Sequence, residues 1–122
     1  MMLALTVKQP WADAIIHAQK DIENRTWPTA YRGPLAIHAG KSYDEGGRLF
    51  MLRHNLYVPD DLVSGAIIGV VDLIDCTHTT SDSRWAEPGV WHWRLANPRA
   101  VEPVFVRGQQ GLFTVTVPRL EV

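Results

Sequence analysis

Apolar and polar positions change over quickly along this chain, in runs too short for long helices. Leu3 to Val7 is an apolar run of strand length. Trp11, Ala14, Ile15 and Ala18 then follow helical spacing, which predicts a helix with one inward face. Pro10 fits its first turn, where a missing N–H costs nothing, and Asp13 sits where a helix start favours negative charge. Lys20 to Trp27 alternates in type and predicts a strand, with Glu23, Arg25 and Trp27 on one face and Ile22 on the other. Pro28 ends it. Tyr31-Arg32-Gly33-Pro34 reads as a turn and Leu35 to Ala39 as the next strand.

Ser42-Tyr43-Asp44-Glu45 has the form of a capping box. It predicts a helix from about Tyr43 to His54, weakened by Gly46-Gly47 and stopped by a left-handed Asn55. Pro59-Asp60-Asp61 reads as a turn. Ala66 to Cys76 is apolar on both faces, so it is a central strand or one lining a closed sheet. Thr77 to Pro88 is a polar loop. Val90 to Leu95 and Leu112 to Val117 are further strands, with a turn at Gly108 to Gly111. The order β-α-β-β-α-β-β-β, rich in short strands, predicts an α+β fold: a small, partly closed mixed β-barrel with short helices at its ends.

Length and composition narrow the classes. The 122 residues fit a single domain over 1–122, and 46% apolar with 20% charged content is that of an ordinary globule. One cysteine, Cys76, leaves no internal disulfide or multi-cysteine zinc site and suits a reducing, cytoplasmic setting. The start, Met1 to Leu5, is short and soon meets Lys8, so no secretory leader is expected. The longest apolar run, Gly65 to Val71, is far short of a membrane helix. Net charge is −1, which argues against nonspecific polyanion binding by the whole surface. Residues 1–53, however, carry seven Lys/Arg against five Asp/Glu, and residues 54–122 carry five against eight. A basic face in the first half and an ordinary solvated surface both fit that asymmetry.

The candidate chemistry is concentrated early. Gln9-Pro10-Trp11, Lys20, Glu23, Arg25, Trp27 and Tyr31 to Pro34 crowd side chains that are costly to bury beside short apolar strands. Lys20 could hold a phosphate or polarise a carbonyl, or simply end the helix favourably. Glu23 and Arg25 could contact a ligand, Glu23 accepting from a base amino group and Arg25 gripping phosphate. They could equally form an ion pair across the mouth of the sheet. Trp11 and Trp27 offer faces for stacking; helical spacing favours core packing for Trp11, and the flanking Pro28 favours the rim for Trp27. Trp91 and Trp93 share a core face, which turns His92 outward or into a cleft. Lys8, Arg32 and Lys41 lie at element ends and could form a phosphate track, though scattered solvated charges are the plain alternative. His38 ends a strand, where site residues gather. Of the acidic residues Asp72, Asp75, Asp82 and Glu87, Asp75 at the end of the central strand is placed best to reach the cleft. No histidine pair has metal-ligand spacing with a carboxylate, no nucleophile elbow occurs, and Gly40-Lys41-Ser42 lacks the upstream glycine of a phosphate loop because Ala36 stands there. No metal or cofactor is expected.

Leu5-Thr6-Val7-Lys8-Gln9-Pro10-Trp11-Ala12, Lys20-x-x-Glu23-x-Arg25-x-Trp27 and Tyr31-Arg32-Gly33-Pro34-Leu35-x-Ile37 closely resemble the ASCH domain, named after a human transcriptional coactivator. Gly65 to Cys76, Asn97-Pro98 and Gly108 to Phe113 fit the same pattern. The resemblance implies a PUA-like barrel with a cleft for RNA, DNA or a nucleoside. The family pattern is Gly-x-Lys-x-x-Glu-x-Arg, and Ala18 departs from it at the glycine, which predicts an altered helix exit. Some distantly similar bacterial members hydrolyse N4-acylcytidines; they match Lys20 but carry threonine where this chain has Glu23.

The expected function is binding of RNA or a modified nucleoside: the resemblance implies Lys20, Glu23 and Arg25 for the site, and the reading of the residues adds Lys8, Trp11, Trp27, Arg32, His38, Lys41 and Asp75. A hydrolase acting on N4-acylated cytidine or RNA, with Lys20 and Glu23 as its catalytic pair, is the enzyme alternative. A protein-interaction module without ligand is the third.

Overall fold

The computed structural model describes residues 1–116; Val117, the end of the last predicted strand, and the tail of the predicted domain lie outside them. The elements are β1 (Met2–Gln9), α1 (Trp11–His17), β2 (Ile22–Arg25), β3 (Gly33–Tyr43), α2 (Glu45–Arg53), β4 (Ala66–Thr77), β5 (Trp91–Phe105) and β6 (Leu112–Val115), in the predicted order. They form one six-stranded mixed sheet, β2-β5-β4-β3-β1-β6. Among the described residues only β1 and β3 run parallel; every other pairing is antiparallel.

Among the described residues no β2–β6 ladder closes this sheet, so the architecture is an open sheet with two short helices rather than a closed barrel. The sheet nevertheless curls. β2 and β1 stand four strand spacings apart, roughly 19 Å if the sheet were flat. Yet Arg25 Nη2 of β2 donates to Thr6 O of β1 at 2.7 Å. The curled inner face holds the main core, with Leu5, Val7, Leu35, Ile37, Val71, Leu73 and Trp93 packed against Ala12, Ile15 and Ile16 of α1. Ala4, Ala36, Ile67, Val70, Phe113 and Val115 form a second cluster on the other face. This two-sided burial is why β4 reads as continuously apolar.

Several boundaries differ from expectation for identifiable reasons. The strand predicted over Lys20–Trp27 is ladder-bonded only over Ile22–Arg25. Lys20 instead stands at the exit of α1, where Gln19 takes φ +59° and Ala18 does not turn left-handed. The departure at Ala18 therefore costs no backbone strain. Ser42 does not cap α2, because β3 continues through Tyr43 to pair with Gln9; Asp44 caps it by accepting from Gly47 N at 3.2 Å. Asn55 is left-handed as expected, at φ +58°. Gly33, at φ +128°, and Pro34 begin β3 rather than completing a turn. β5 runs past Asn97-Pro98 to Phe105. Asn97 is left-handed there, the register to β4 shifts, and β2 no longer flanks the strand, so the missing Pro98 N–H leaves no broken ladder. No helix among the described residues is long and apolar enough to cross a membrane.

Candidate functional site

The sheet register decides which predicted residues meet. β1 and β3 run parallel and β4 runs opposite, so one end of the sheet gathers Lys8 and Gln9, Gly40 and Lys41, Gly65 and Ala66, and Phe105 opposite Ala66. Arg32 and Asp75 fall at the other end, near the Gly33–Leu73 pairing. They face each other at 3.9 Å as a half-exposed ion pair, away from the three hollows that surround the other candidates. Glu87, not Asp75, is the acidic residue of the second half that reaches the cleft.

The three hollows join end to end. The first, a cleft of about 620 Å³, lies between α1, α2 and the 78–90 loop, with Trp11, Phe50 and Trp85 as aromatic walls. Lys20, Glu23 and Asn24 line it beside Asp44, Arg84 and Glu87. The second, about 780 Å³, shares Trp11, Glu23 and Asn24 with the first and adds Lys8, Arg25, Trp27 and Lys41. The third, about 920 Å³, shares Thr6, Gly40, Lys41, Gln109 and Gln110 with the second and ends at Phe105 and Arg107.

At the cleft, Lys20 and Glu23 are buried, at 4% and 7% exposure. Lys20 Nζ donates to Ile22 O and to Glu23 Oε1, the latter at 3.1 Å. It also stands 5.4 Å from the centroid of the Trp11 ring, within cation–π range. Glu23 Oε2 accepts from Arg25 Nε at 3.1 Å, and Arg25 reaches on to Thr6 O. Glu23 thus joins two cations, and Arg25 ties the free edge of β2 to β1. The ion pair between Glu23 and Arg25 is formed, and both side chains line the middle hollow.

The aromatic walls are held from behind. Trp11 Nε1 donates to Asp44 Oδ2 at 2.7 Å, so one carboxylate caps α2 and fixes the indole. Gly47 is packed so closely that a Cβ there would stand 2.7 Å from the Trp11 ring. Gln9, 3% exposed, accepts from Asp13 N and donates to Val63 O, which sets the start of α1. Trp11, Phe50 and Trp85 have centroids 5.6 to 6.1 Å apart. That spacing is a packed cluster whose outer faces line the cleft; the space between the rings is too tight for a cation.

Trp85, in a loop that reads as polar, belongs to this wall at 7% exposure. Its signal was a lone tryptophan among serines and charges, which has to find a buried place. Asn24 secures the loop at both ends of its amide, donating to Trp85 O at 2.8 Å and accepting from Glu87 N at 2.9 Å. His92 turns neither outward nor into the cleft. It is buried and donates through Nε2 to Glu87 O at 2.6 Å, a third tie on the loop. Trp93 is fully buried, with Trp27 edge-on at 4.8 Å. Trp27 lines the middle hollow as a half-buried rim residue.

Lys8 and Lys41 are exposed and make no ion pair among the described residues. His38, 2% exposed, is held rather than free. Its Nε2 donates to Val106 O at 2.7 Å, since a carbonyl can only accept, and in the neutral ring Nδ1 accepts the Thr6 hydroxyl at 3.1 Å.

The comparisons with known proteins bear on this arrangement. The family model of the ASCH domain matches residues 5–105, a span that holds every residue lining the aromatic cleft. The chain belongs to the ASCH domain family. Human "Activating signal cointegrator 1" is 35% identical over 80 residues, and its mouse counterpart 39% identical over 80 residues. Each alignment covers 59% of this chain but only 14% of the relative, so the chain spans a small part of the proteins it matches. Among solved structures, a mutant of the ASCH protein ZmASCH from Zymomonas mobilis superposes with a TM-score of 0.60, covering 93% of this chain and 89% of that one. At 12% identity that likeness concerns the ASCH fold alone.

Proposed function

We propose that this ASCH domain binds a nucleobase, of RNA or of a modified nucleoside, in the aromatic cleft. The observation that carries the reading is the buried Lys20–Glu23–Arg25 network at the foot of a cleft walled by Trp11, Phe50 and Trp85. Aromatic faces supply stacking that accepts any base, worth about 1–3 kcal/mol per base. Lys20 and Glu23 offer a fixed donor and acceptor for a base edge, already oriented by their mutual bond, so little ordering is lost on binding. Lys8 and Lys41 beside the cleft would meet phosphate. In this reading Arg25 acts through Glu23, and the curled open sheet is a loosened relative of the PUA-like barrel. A cytoplasmic setting belongs to the same proposal.

The hydrolase alternative would use the same cleft with Glu23 as a base toward water. Both Glu23 oxygens are already engaged by cations, which supports an anchoring role over a free base. Titrating nucleosides, N4-acetylcytidine and short RNAs while following tryptophan fluorescence tests the proposal. Quenching that saturates, and that Trp85→Ala abolishes, is the expected result. No response to any of them contradicts it. Turnover of N4-acetylcytidine, lost in Lys20→Ala, would assign the cleft to the hydrolase instead.

A further inference from the structure

We infer that the far hollow is a second nucleotide subsite, built from Phe105, Arg107 and Lys41, so that the ligand is a single strand of nucleic acid rather than a free nucleoside. This rests on the proposed base site and extends it. The charge that the described residues place along the three hollows changes in one direction. The aromatic cleft carries Glu23, Asp44 and Glu87 against Lys20 and Arg84. The middle trough has Lys8, Arg25 and Lys41, with Glu23 its only carboxylate among the described residues. The far hollow has Lys41 and Arg107 and no carboxylate among them. A strand with one base in the cleft would thus run its phosphates from mixed charge into positive charge.

The backbone of the far hollow is also closely held by hydrogen bonds and packing. The His38 ring, bridging Thr6 and Val106, pins the chain beside Arg107. Gly108 lies so close that a Cβ there would stand 2.8 Å from both His38 and Thr6. The Lys41 stem runs along Gly65, its Cε 3.3 Å from where a Cβ would project. Arg107 is exposed and has no ion pair to another described residue. Phe105 sits beside it with 71% of its surface open to water, a flat face at the end of a basic trough. An exposed aromatic ring and free cations on a fixed backbone are the parts that single-strand binders combine. Gln109 and Gln110 complete the rim with amides that can meet sugar or base.

The test is a length series of single-stranded RNA and DNA, from mononucleotide to octanucleotide, measured by fluorescence anisotropy at several salt concentrations. Affinity should rise stepwise with length. Arg107→Ala and Lys41→Ala should each weaken the octanucleotide about tenfold and flatten the salt slope by about 0.7. Phe105→Ala should weaken it about tenfold with the slope unchanged. Arg107→Ala and Phe105→Ala, which line the far hollow alone, should bind mononucleotide as the parent does. Octanucleotide binding no tighter than mononucleotide, with the variants silent, overturns the second subsite while leaving the base site standing. Loss of binding to every length in the parent protein removes both. An acidic peptide that competes as well as the octanucleotide would give the hollow to a protein partner and also overturn the proposal. Since Phe105, Arg107 and Lys41 are exposed, unchanged melting temperatures will separate lost binding from lost folding.

Discussion

The cleft and the trough use the same residue types in opposite ways. In the cleft the charges that shape it are paired and buried or half-buried: Lys20 with Glu23, Glu23 with Arg25, Asp44 with the Trp11 indole. In the trough and the far hollow Lys8, Lys41 and Arg107 stand in water without ion pairs among the described residues. A buried pair fixes shape, because breaking it strands a charge in low dielectric. A free surface cation fixes almost nothing in the fold but contributes long-range attraction that salt removes. On the proposed function, the cleft selects and the trough attracts. Stability and salt dependence should therefore separate cleanly between the two regions.

The largest effect is expected at Glu23. Glu23→Leu leaves Lys20 without its counter-charge at 4% exposure and should cost about 3–5 kcal/mol in urea unfolding. Pairing it with Lys20→Met should recover much of that loss, because removing both charges removes the stranded one. Gly47→Ala comes next. The new Cβ would press on Trp11 from 2.7 Å, and displacing the indole should cost about 1–3 kcal/mol and narrow the cleft. Asn24→Ala should cost about 1–2 kcal/mol by freeing Glu87 N and Trp85 O, with faster amide exchange confined to the 78–90 loop.

The trough should behave otherwise. Lys8→Ala and Lys41→Ala should change stability by no more than about 0.5 kcal/mol. The smallest effect lies outside both regions. The Asn97 amide and the Arg99 guanidinium, together outweighing partial burial, hold the Asp72 carboxyl below its ordinary value of 3.8. Its contribution to stability is present above that value and is lost as pH falls below it through the lowered one. Asp72→Asn should therefore lower stability slightly at neutral pH, where the contribution is present, and flatten the acid limb of a stability–pH curve below pH 3.8.

The two regions also differ in how far the sequence revealed them. The element order, the central two-faced β4 and the Lys20–Glu23–Arg25 network were legible because periodicity and motif spacing are local signals. The cap of α2 was misplaced because Ser42 and Asp44 both suit the role, and only the pairing of Tyr43 with Gln9 keeps Ser42 in a strand. The length of β5 was hidden by Asn97-Pro98, which breaks a ladder only where both edges are paired. Arg32 and Asp75 were drawn toward the site because strand ends attract function; register put them at the opposite end of the sheet. Trp85, Asn24 and His92 were missed as wall-builders because their contacts cross more than 60 residues or close a loop on itself. Curling of the sheet, which brings Arg25 to Thr6, is a property of the assembled strands and of no single one.

The five tryptophans allow the central claim to be read in one spectrum. Their indole N–H signals can be followed by NMR while single-stranded RNA is added. Trp11 and Trp85 line the cleft, whereas Trp93 is fully buried and donates to Trp27 O. Saturable shifts are expected at Trp11 and Trp85, with Trp93 unmoved. Saturable binding that leaves Trp11 and Trp85 unshifted would contradict the claim.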